Sequence, residues 1–136
     1  MNILTVDYHS PTAPQDFALS LKETGFGILK NHPISWAKIE KVYAEWNVFF
    51  NSEAKWNYLL DREKQDGYVP TSIAEKPKGA AVKDIKEFYQ LYFPWGRYPT
   101  EISKLSHELF DDLFSLGTIL TGWLEAYMPG PARQKL

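Results

Sequence analysis

Residues 99–128 read PTEISKLSHELFDDLFSLGTILTGWLEAYM, and the periodicity of this run decides the architecture. Ile102, Leu105, Leu109, Leu113, Leu116, Leu120 and Leu124 recur at steps of three and four, which keeps them on one face of a helix. A second row, Phe110, Phe114, Gly117 and Thr121, runs beside it at i, i+4, with Trp123 and Tyr127 near its end. Pro99 suits a first helical turn, Glu101 complements the positive N-terminal end, and Pro129-Gly130-Pro131 stops the run. About 28 residues rising ~1.5 Å each make a rod of roughly 42 Å, long for a domain of this size. Two apolar rows need two partners, and the upstream chain offers cover for only one.

The rest of the composition sets the frame. A chain of 136 residues is one domain's worth, residues 1–136, and can bury a single core. Aromatics reach 15%, with five Trp, so much of the packing is expected to be ring against ring. The net charge is −2 and the basic residues are scattered, which leaves no electrostatic footprint for nucleic acid. Without cysteine there are no disulfides, thiolate metal sites or Cys nucleophile. The start, Met1-Asn2-Ile3-Leu4-Thr5-Val6-Asp7, lacks the basic and apolar regions of a signal peptide, and no window approaches a membrane span. A cytoplasmic protein is the expectation.

Upstream of the long run, Ile3 to Tyr8 reads as a strand ended by Ser10-Pro11. Gln15 to Thr24 reads as a helix with Phe17, Ala18 and Leu21 inward, closed by Gly25 as a left-handed cap. Phe26-Gly27-Ile28-Leu29 makes a second strand, broken at Asn31-His32-Pro33. Ser35 is a good N-cap, and Ile34 and Ile39 fit a hydrophobic staple. The helix they start is expected to bury Trp36, Ile39, Val42 or Tyr43, Trp46 and Phe49. Asn51 ends it, and Ser52 caps a shorter helix carrying Trp56, Tyr58 and Leu59. From Asp61 to Lys83 the periodicity fades into charges, Gly67, Pro70, Pro77 and Gly79, which marks a long irregular loop. Ile85 to Phe93 is rich in β-favouring aromatics and reads as a strand before Pro94-Trp95-Gly96. The plan is a helix-rich α+β fold: short strands, three N-terminal helices and one long C-terminal helix.

Few constellations carry chemistry. His107-Glu108-Leu109-Phe110-Asp111 has the spacing of HExxH with Asp in place of the second His, so His107 and Asp111 share a helix face. It lacks the second imidazole and a third ligand, and a solvated helix face explains it better. Gly25-Phe26-Gly27 precedes a strand rather than opening a helix, which excludes a dinucleotide loop. Asp111 and Asp112 are helix neighbours that point apart. His32 reads as a side chain hydrogen-bonding its turn, and the segment around Tyr68, Pro70, Thr71 and Ser72 as either a substrate-facing lid or an exposed connection.

Taken together, five stretches resemble the N-terminal region of the isopenicillin N synthase-like family of non-haem iron(II), 2-oxoglutarate-dependent oxygenases. These are Val6-Asp7; Thr24-Gly25-Phe26-Gly27-Ile28-Leu29-Lys30-Asn31-His32-Pro33-Ile34; Phe49-Phe50 with Ser52 and Lys55; Gly67-Tyr68; and Asp84-Ile85-Lys86-Glu87-Phe88. Pro33 stands where that family usually has glycine. The long helix falls where the family has its support helix, and the resemblance runs from about residue 3 to 128.

The resemblance implies the N-terminal part of a double-stranded β-helix (jelly-roll) oxygenase fold, with Fe(II) and 2-oxoglutarate used by the full-length protein. The chain itself offers no H-x-D pair for the iron triad and no R-x-S pair for the co-substrate, so no catalytic or metal residue is assigned and no cofactor is expected on it alone. The resemblance implies that Tyr68, Pro70, Thr71 and Ser72 contribute to a small-molecule substrate pocket. The expected partner of the exposed helix row at Phe110, Phe114 and Trp123 is the missing jelly-roll half, or a second copy. The alternative is a stand-alone, non-catalytic interaction module using that apolar face.

Overall fold

The computed structural model describes residues 3–73, 79 and 85–127. In chain order it contains β1 (Thr5–Asp7), α1 (Ala13–Thr24), β2 (Ile28–Lys30), α2 (Trp36–Phe50), a 3₁₀ helix (Glu53–Tyr58), β3 (Gly67–Val69), β4 (Phe88–Gln90) and α3 (Leu105–Tyr127). The described chain divides into two compact units, residues 1–39 with 107–136 and residues 40–106.

In the first unit, β1 and β2 pair in parallel with Val6 opposite Leu29. Parallel neighbours need a crossover, and the 12-residue α1 supplies it. Its end is set locally: Gly25 adopts φ 78° and returns its N–H to the carbonyl of Leu21 at 2.9 Å, as a left-handed cap requires. The buried Ser20 hydroxyl accepts from the N–H of Leu4 at 3.1 Å and donates to the carbonyl of Phe26 at 2.7 Å, tying both strand entries to α1. Val6, Ala13 and Phe17 form the buried cluster, and Leu120, Trp123 and Leu124 of α3 pack against it. The Trp123 ring meets Tyr8 at 5.4 Å and the edge of Phe17 at 6.0 Å, contacts worth roughly 0.5–1.5 kcal/mol each beyond area burial. Ser35 caps α2 through its hydroxyl, which accepts from the N–H of Lys38 at 3.4 Å. Lys38 then reaches Asp112 at 2.7 Å and Glu108 at 3.6 Å on α3.

The second unit is built on rings. Phe49 is buried beneath Trp46, Phe50, Tyr58 and Tyr89, with ring centroids 5.5–5.9 Å apart. β3 and β4 are antiparallel, with Tyr68 opposite Tyr89. On the other side of β3 the N–H of Leu60 donates to the carbonyl of Tyr68 at 2.9 Å, so β3 lies between two backbone neighbours.

The structure corrects several expectations. The long helix starts at Leu105, not Pro99. Residues 99–104 are held out of the helix by tertiary hydrogen bonds: the N–H of Thr100 donates to the Tyr58 hydroxyl, that hydroxyl donates to Glu101, and the N–H and hydroxyl of Ser103 donate to Glu45. Part of the 61–83 loop is the strand β3, while residues 74–78 and 80–83 lie outside the described residues. The 85–93 strand contracts to three paired residues, 88–90, and the third N-terminal helix is 3₁₀. Trp36 and Tyr43 of α2 face outward, 69% and 73% exposed, while Val42 is buried. Trp123 is covered by this chain's own α1 cluster, whereas Phe110 and Phe114 stay exposed. His32 does not bond its turn through Nδ1, which is buried without a hydrogen-bond partner; its ring sits 6.3 Å from Trp36.

Candidate functional site

The side chains of β3 and β4 alternate, as a two-residue period dictates. Tyr68 and Tyr89 turn to one face and join the aromatic cluster, while Val69, Phe88 and Gln90 turn to the other. On that second face lies a cavity of about 540 Å³, lined by Leu60, Arg62, Gln65, Val69, Ile73, Lys86, Phe88 and Gln90. Its size and its mix of apolar floor with a few polar groups suit a small organic ligand.

Each wall has a local cause. The Asp61 carboxylate accepts the N–H groups of Glu63 and Lys64 at 2.9 and 3.1 Å, and Gln65 takes φ 58°, so residues 61–66 fold back as a tight turn carrying Arg62 and Gln65. Beyond β3, the N–H of Ile73 closes a turn onto the carbonyl of Pro70 at 3.1 Å, which brings Ile73 back beside Val69. Lys86 precedes β4, its ammonium 5.5 Å from the Phe88 ring centroid. The Gln90 amide oxygen is buried and has no hydrogen-bond partner.

Beneath the cavity the scaffold is charged and paired. Asp66, wholly buried, accepts the backbone N–H of Arg97 at 2.6 Å and its guanidinium at 3.0 Å. The same guanidinium donates to the carbonyls of Leu59 and Asp66 at 2.7 and 3.0 Å. On the aromatic face the Tyr68 hydroxyl donates to Glu87, and the Lys55 ammonium reaches Glu87 at 3.0 Å and the carbonyl of Phe50 at 2.6 Å. The Tyr68 hydrogen bond, helped by Lys55, holds the Glu87 carboxyl below the usual range, and Glu87 holds the Lys55 ammonium above its own. Burial pushes the Tyr68 hydroxyl up, and pushes that of Tyr89 up to about 12.

The four residues singled out for a substrate pocket divide. Tyr68 is buried and faces the aromatic cluster, away from the cavity; Pro70 is buried; Thr71 and Ser72 are exposed in the turn that joins Val69 to Ile73. Sequence reading missed Leu60, Arg62, Gln65, Lys86, Phe88 and Gln90. The period-two alternation in Gly67-Tyr68-Val69 and Phe88-Tyr89-Gln90 was the available signal. A second hollow of about 480 Å³ runs between α1 and α3, lined by Ala18, Leu19, Leu21 and Leu124 with Gln15, Lys22 and Tyr127. Among the described residues no three His, Asp or Glu side chains are grouped to hold a metal ion. No iron step is assigned to this chain. No helix among them is long and apolar enough to cross a membrane.

This helix-rich α+β fold is similar to the N-terminal region of an oxygenase. Residues 8–112 match the family model described as "non-haem dioxygenase in morphine synthesis N-terminal", and the chain belongs to that family. The crystal structure of a candidate oxygenase from Shewanella oneidensis matches it with TM-score 0.86 and 39% identity, over 99% of this chain and 46% of that one. The chain thus spans less than half the length of that neighbour. No curated protein matches it.

Proposed function

We propose that this chain is the structural and substrate-pocket portion of a non-haem iron(II), 2-oxoglutarate-dependent oxygenase of the isopenicillin N synthase-like group, acting in the cytoplasm. The observation that carries the reading is the family match over residues 8–112, together with a chain that covers 46% of its structural neighbour. The iron ligands and the co-substrate arginine would then belong to a jelly-roll half, which supplies the oxidative chemistry. This chain would contribute a wall of the substrate pocket at the β3–β4 cavity and its Pro70–Ile73 turn. Exposed Phe110 and Phe114 on α3, 46% and 68% accessible, offer a surface against which that half could pack.

A second reading, a self-sufficient interaction module, draws on the same exposed row. One experiment separates them. The complete gene product, purified with Fe(II), is assayed for release of carbon dioxide from labelled 2-oxoglutarate, and its intact mass is compared with that of this chain. An H-x-D…H segment after Leu136 and Fe(II)-dependent decarboxylation support the oxygenase portion. A product ending at Leu136 that forms a discrete dimer and has no such activity supports the module.

A further inference from the structure

Trp46 and Phe50 lie one helical turn apart on α2, and the Trp46 ring reaches across to Tyr89 of β4. Its centroid stands 5.7 Å from Phe50 and 5.3 Å from Tyr89, with the ring planes inclined by 34° and 52° rather than stacked. With Glu87 and Phe88 these rings line a hollow of about 250 Å³. Each ring is held from behind. The Trp46 indole N–H donates to the Ser106 hydroxyl at 2.9 Å, the Tyr89 hydroxyl donates to the Arg97 carbonyl at 2.7 Å, and Phe50 packs on Phe49 at 5.8 Å. The face of an aromatic ring carries negative potential and attracts a cation. Glu87 adds a full negative charge, because the hydrogen bond from Tyr68, helped by Lys55, holds its carboxyl below the usual range. Tyr68 and Lys55 both bind the same oxygen, Oε2, which fixes the carboxylate in place. Its Oε1 accepts from no described residue. The Lys55 ammonium is turned to the Phe50 carbonyl at 2.6 Å and to the Tyr68 and Trp56 rings at 5.2 and 5.7 Å, so this unit already uses aromatic faces to hold a cation. Phe88 forms the rim, with the Lys86 ammonium 5.5 Å from its ring centroid.

From this we infer that the hollow binds a small alkylated ammonium ion, a protonated tertiary amine whose N–H donates to Glu87 Oε1 and whose alkyl groups rest on Trp46, Phe50 and Tyr89. The rings and the carboxylate do separable work. A quaternary ammonium ion keeps the charge and the contact with the rings but has no N–H to give Glu87. A neutral alcohol of the same shape keeps only the apolar contact. The rings hold their places without the ligand, so little ordering opposes binding. The site lies on the aromatic face of β4 and shares only Phe88 with the β3–β4 cavity. It does not depend on the oxygenase reading, because binding is a property of this chain.

The test is a titration of the 136-residue chain with trimethylammonium chloride, tetramethylammonium chloride and tert-butanol at neutral pH and constant ionic strength, read by backbone amide and indole N–H shifts. Saturable shifts are expected with both cations, largest at Phe50, Phe88, Tyr89 and the Trp46 indole. Trimethylammonium is expected to bind about threefold tighter than tetramethylammonium through its charge-assisted hydrogen bond, and tert-butanol at least about fivefold weaker than trimethylammonium. Phe50→Leu keeps apolar bulk and removes a ring face, and is expected to weaken both cations about fivefold while leaving tert-butanol nearly unchanged. Glu87→Gln is expected to remove the advantage of trimethylammonium over tetramethylammonium. Because Glu87 also holds Lys55 and Tyr68, the three ligands on the unaltered chain decide the matter if that variant fails to fold. Equal binding of tert-butanol and the cations, equal binding of the two cations, or unchanged cation affinity in Phe50→Leu overturns the inference. So do shifts centred on Leu19 and Leu124, or the absence of saturable shifts with either cation. None of these outcomes reads turnover, so the iron and 2-oxoglutarate assay of the complete gene product stands or falls separately.

Discussion

Asp66 accepts both the backbone N–H and the guanidinium of Arg97, joining the turn before β3 to the segment after β4 through one wholly buried carboxylate. A buried charge whose partner is removed is left uncompensated, which costs about 3–5 kcal/mol. The Arg97 side chain keeps 35% exposure, so the lower end applies. Asp66→Asn, nearly isosteric, is expected to lose about 3 kcal/mol in urea unfolding at neutral pH. Arg97→Lys retains charge without the fork and is expected to fall in between. An unchanged unfolding midpoint in Asp66→Asn would remove this pair from the scaffold.

Gly67 follows Asp66 with φ 110°, where side chains are rarely tolerated. A Cβ there would run into the Tyr58 carbonyl and the Arg97 guanidinium, and would stand 3.0 Å from the carbonyl of Leu59. Gly25 also has positive φ, at 78°, but a Cβ there meets nothing within 4 Å. Gly25→Ala should therefore cost only the left-handed penalty, about 1–2 kcal/mol. Gly67→Ala should cost clearly more, about 3 kcal/mol or above, because backbone strain and a clash with backbone atoms add. Thermal melts of the two variants side by side check the order; equal losses would contradict it.

These two glycines also mark what could be read from sequence and what could not. Gly25 ends α1 and Ser35 starts α2 by bonds within a few residues, so their signals are local and legible. Gly67 opens a three-residue strand whose partner lies about twenty residues downstream, and nothing local announces that pairing. Pro99 carries a genuine preference for a helical first turn, but Tyr58 and Glu45 outbid it with bonds from distant segments. The cavity shares this fate, because Arg62, Val69, Lys86 and Gln90 meet only once β3 and β4 pair. Periodicity also placed Trp123 and Phe114 in one row, without showing that α1 covers the first and not the second.

The polar groups behind the strands predict opposite behaviour in acid and in alkali. The Glu87 carboxyl titrates below its ordinary 4.5, so its contribution is present above that value and is lost as pH falls through the lowered one. Glu87→Gln should flatten the acid limb of the stability profile. Tyr89 titrates near 12, above its ordinary 10.0, so burial of its neutral form stabilises below pH 10 and is lost as pH rises towards 12. Tyrosinate absorbance should show a late phase close to pH 12 that Tyr89→Phe diminishes by one tyrosine. A Tyr89 that ionises with the exposed tyrosines would mean that its ring is not buried as described.

The two flanks of α3 differ in cover, and paired truncations measure the difference. Trp123 lies against Phe17 and Tyr8 at the edge of the buried cluster, so Trp123→Ala removes ring contacts and leaves space that a rigid cluster refills only in part. Because the indole is half-buried, a loss of about 2–4 kcal/mol is expected, at or below the range for buried aromatics. Phe114 is 68% exposed, and its described ring contact is the stacked Phe110 at 6.2 Å on the same helix. Phe114→Ala should therefore change stability by no more than about 0.5 kcal/mol. Denaturant unfolding of this chain gives both numbers. If Phe114→Ala proved as costly as Trp123→Ala, the ring would already be buried in solution, for instance between two copies. Repeating the measurement across a range of protein concentrations would identify that case, since stability gained from association rises with concentration and stability of the isolated chain does not.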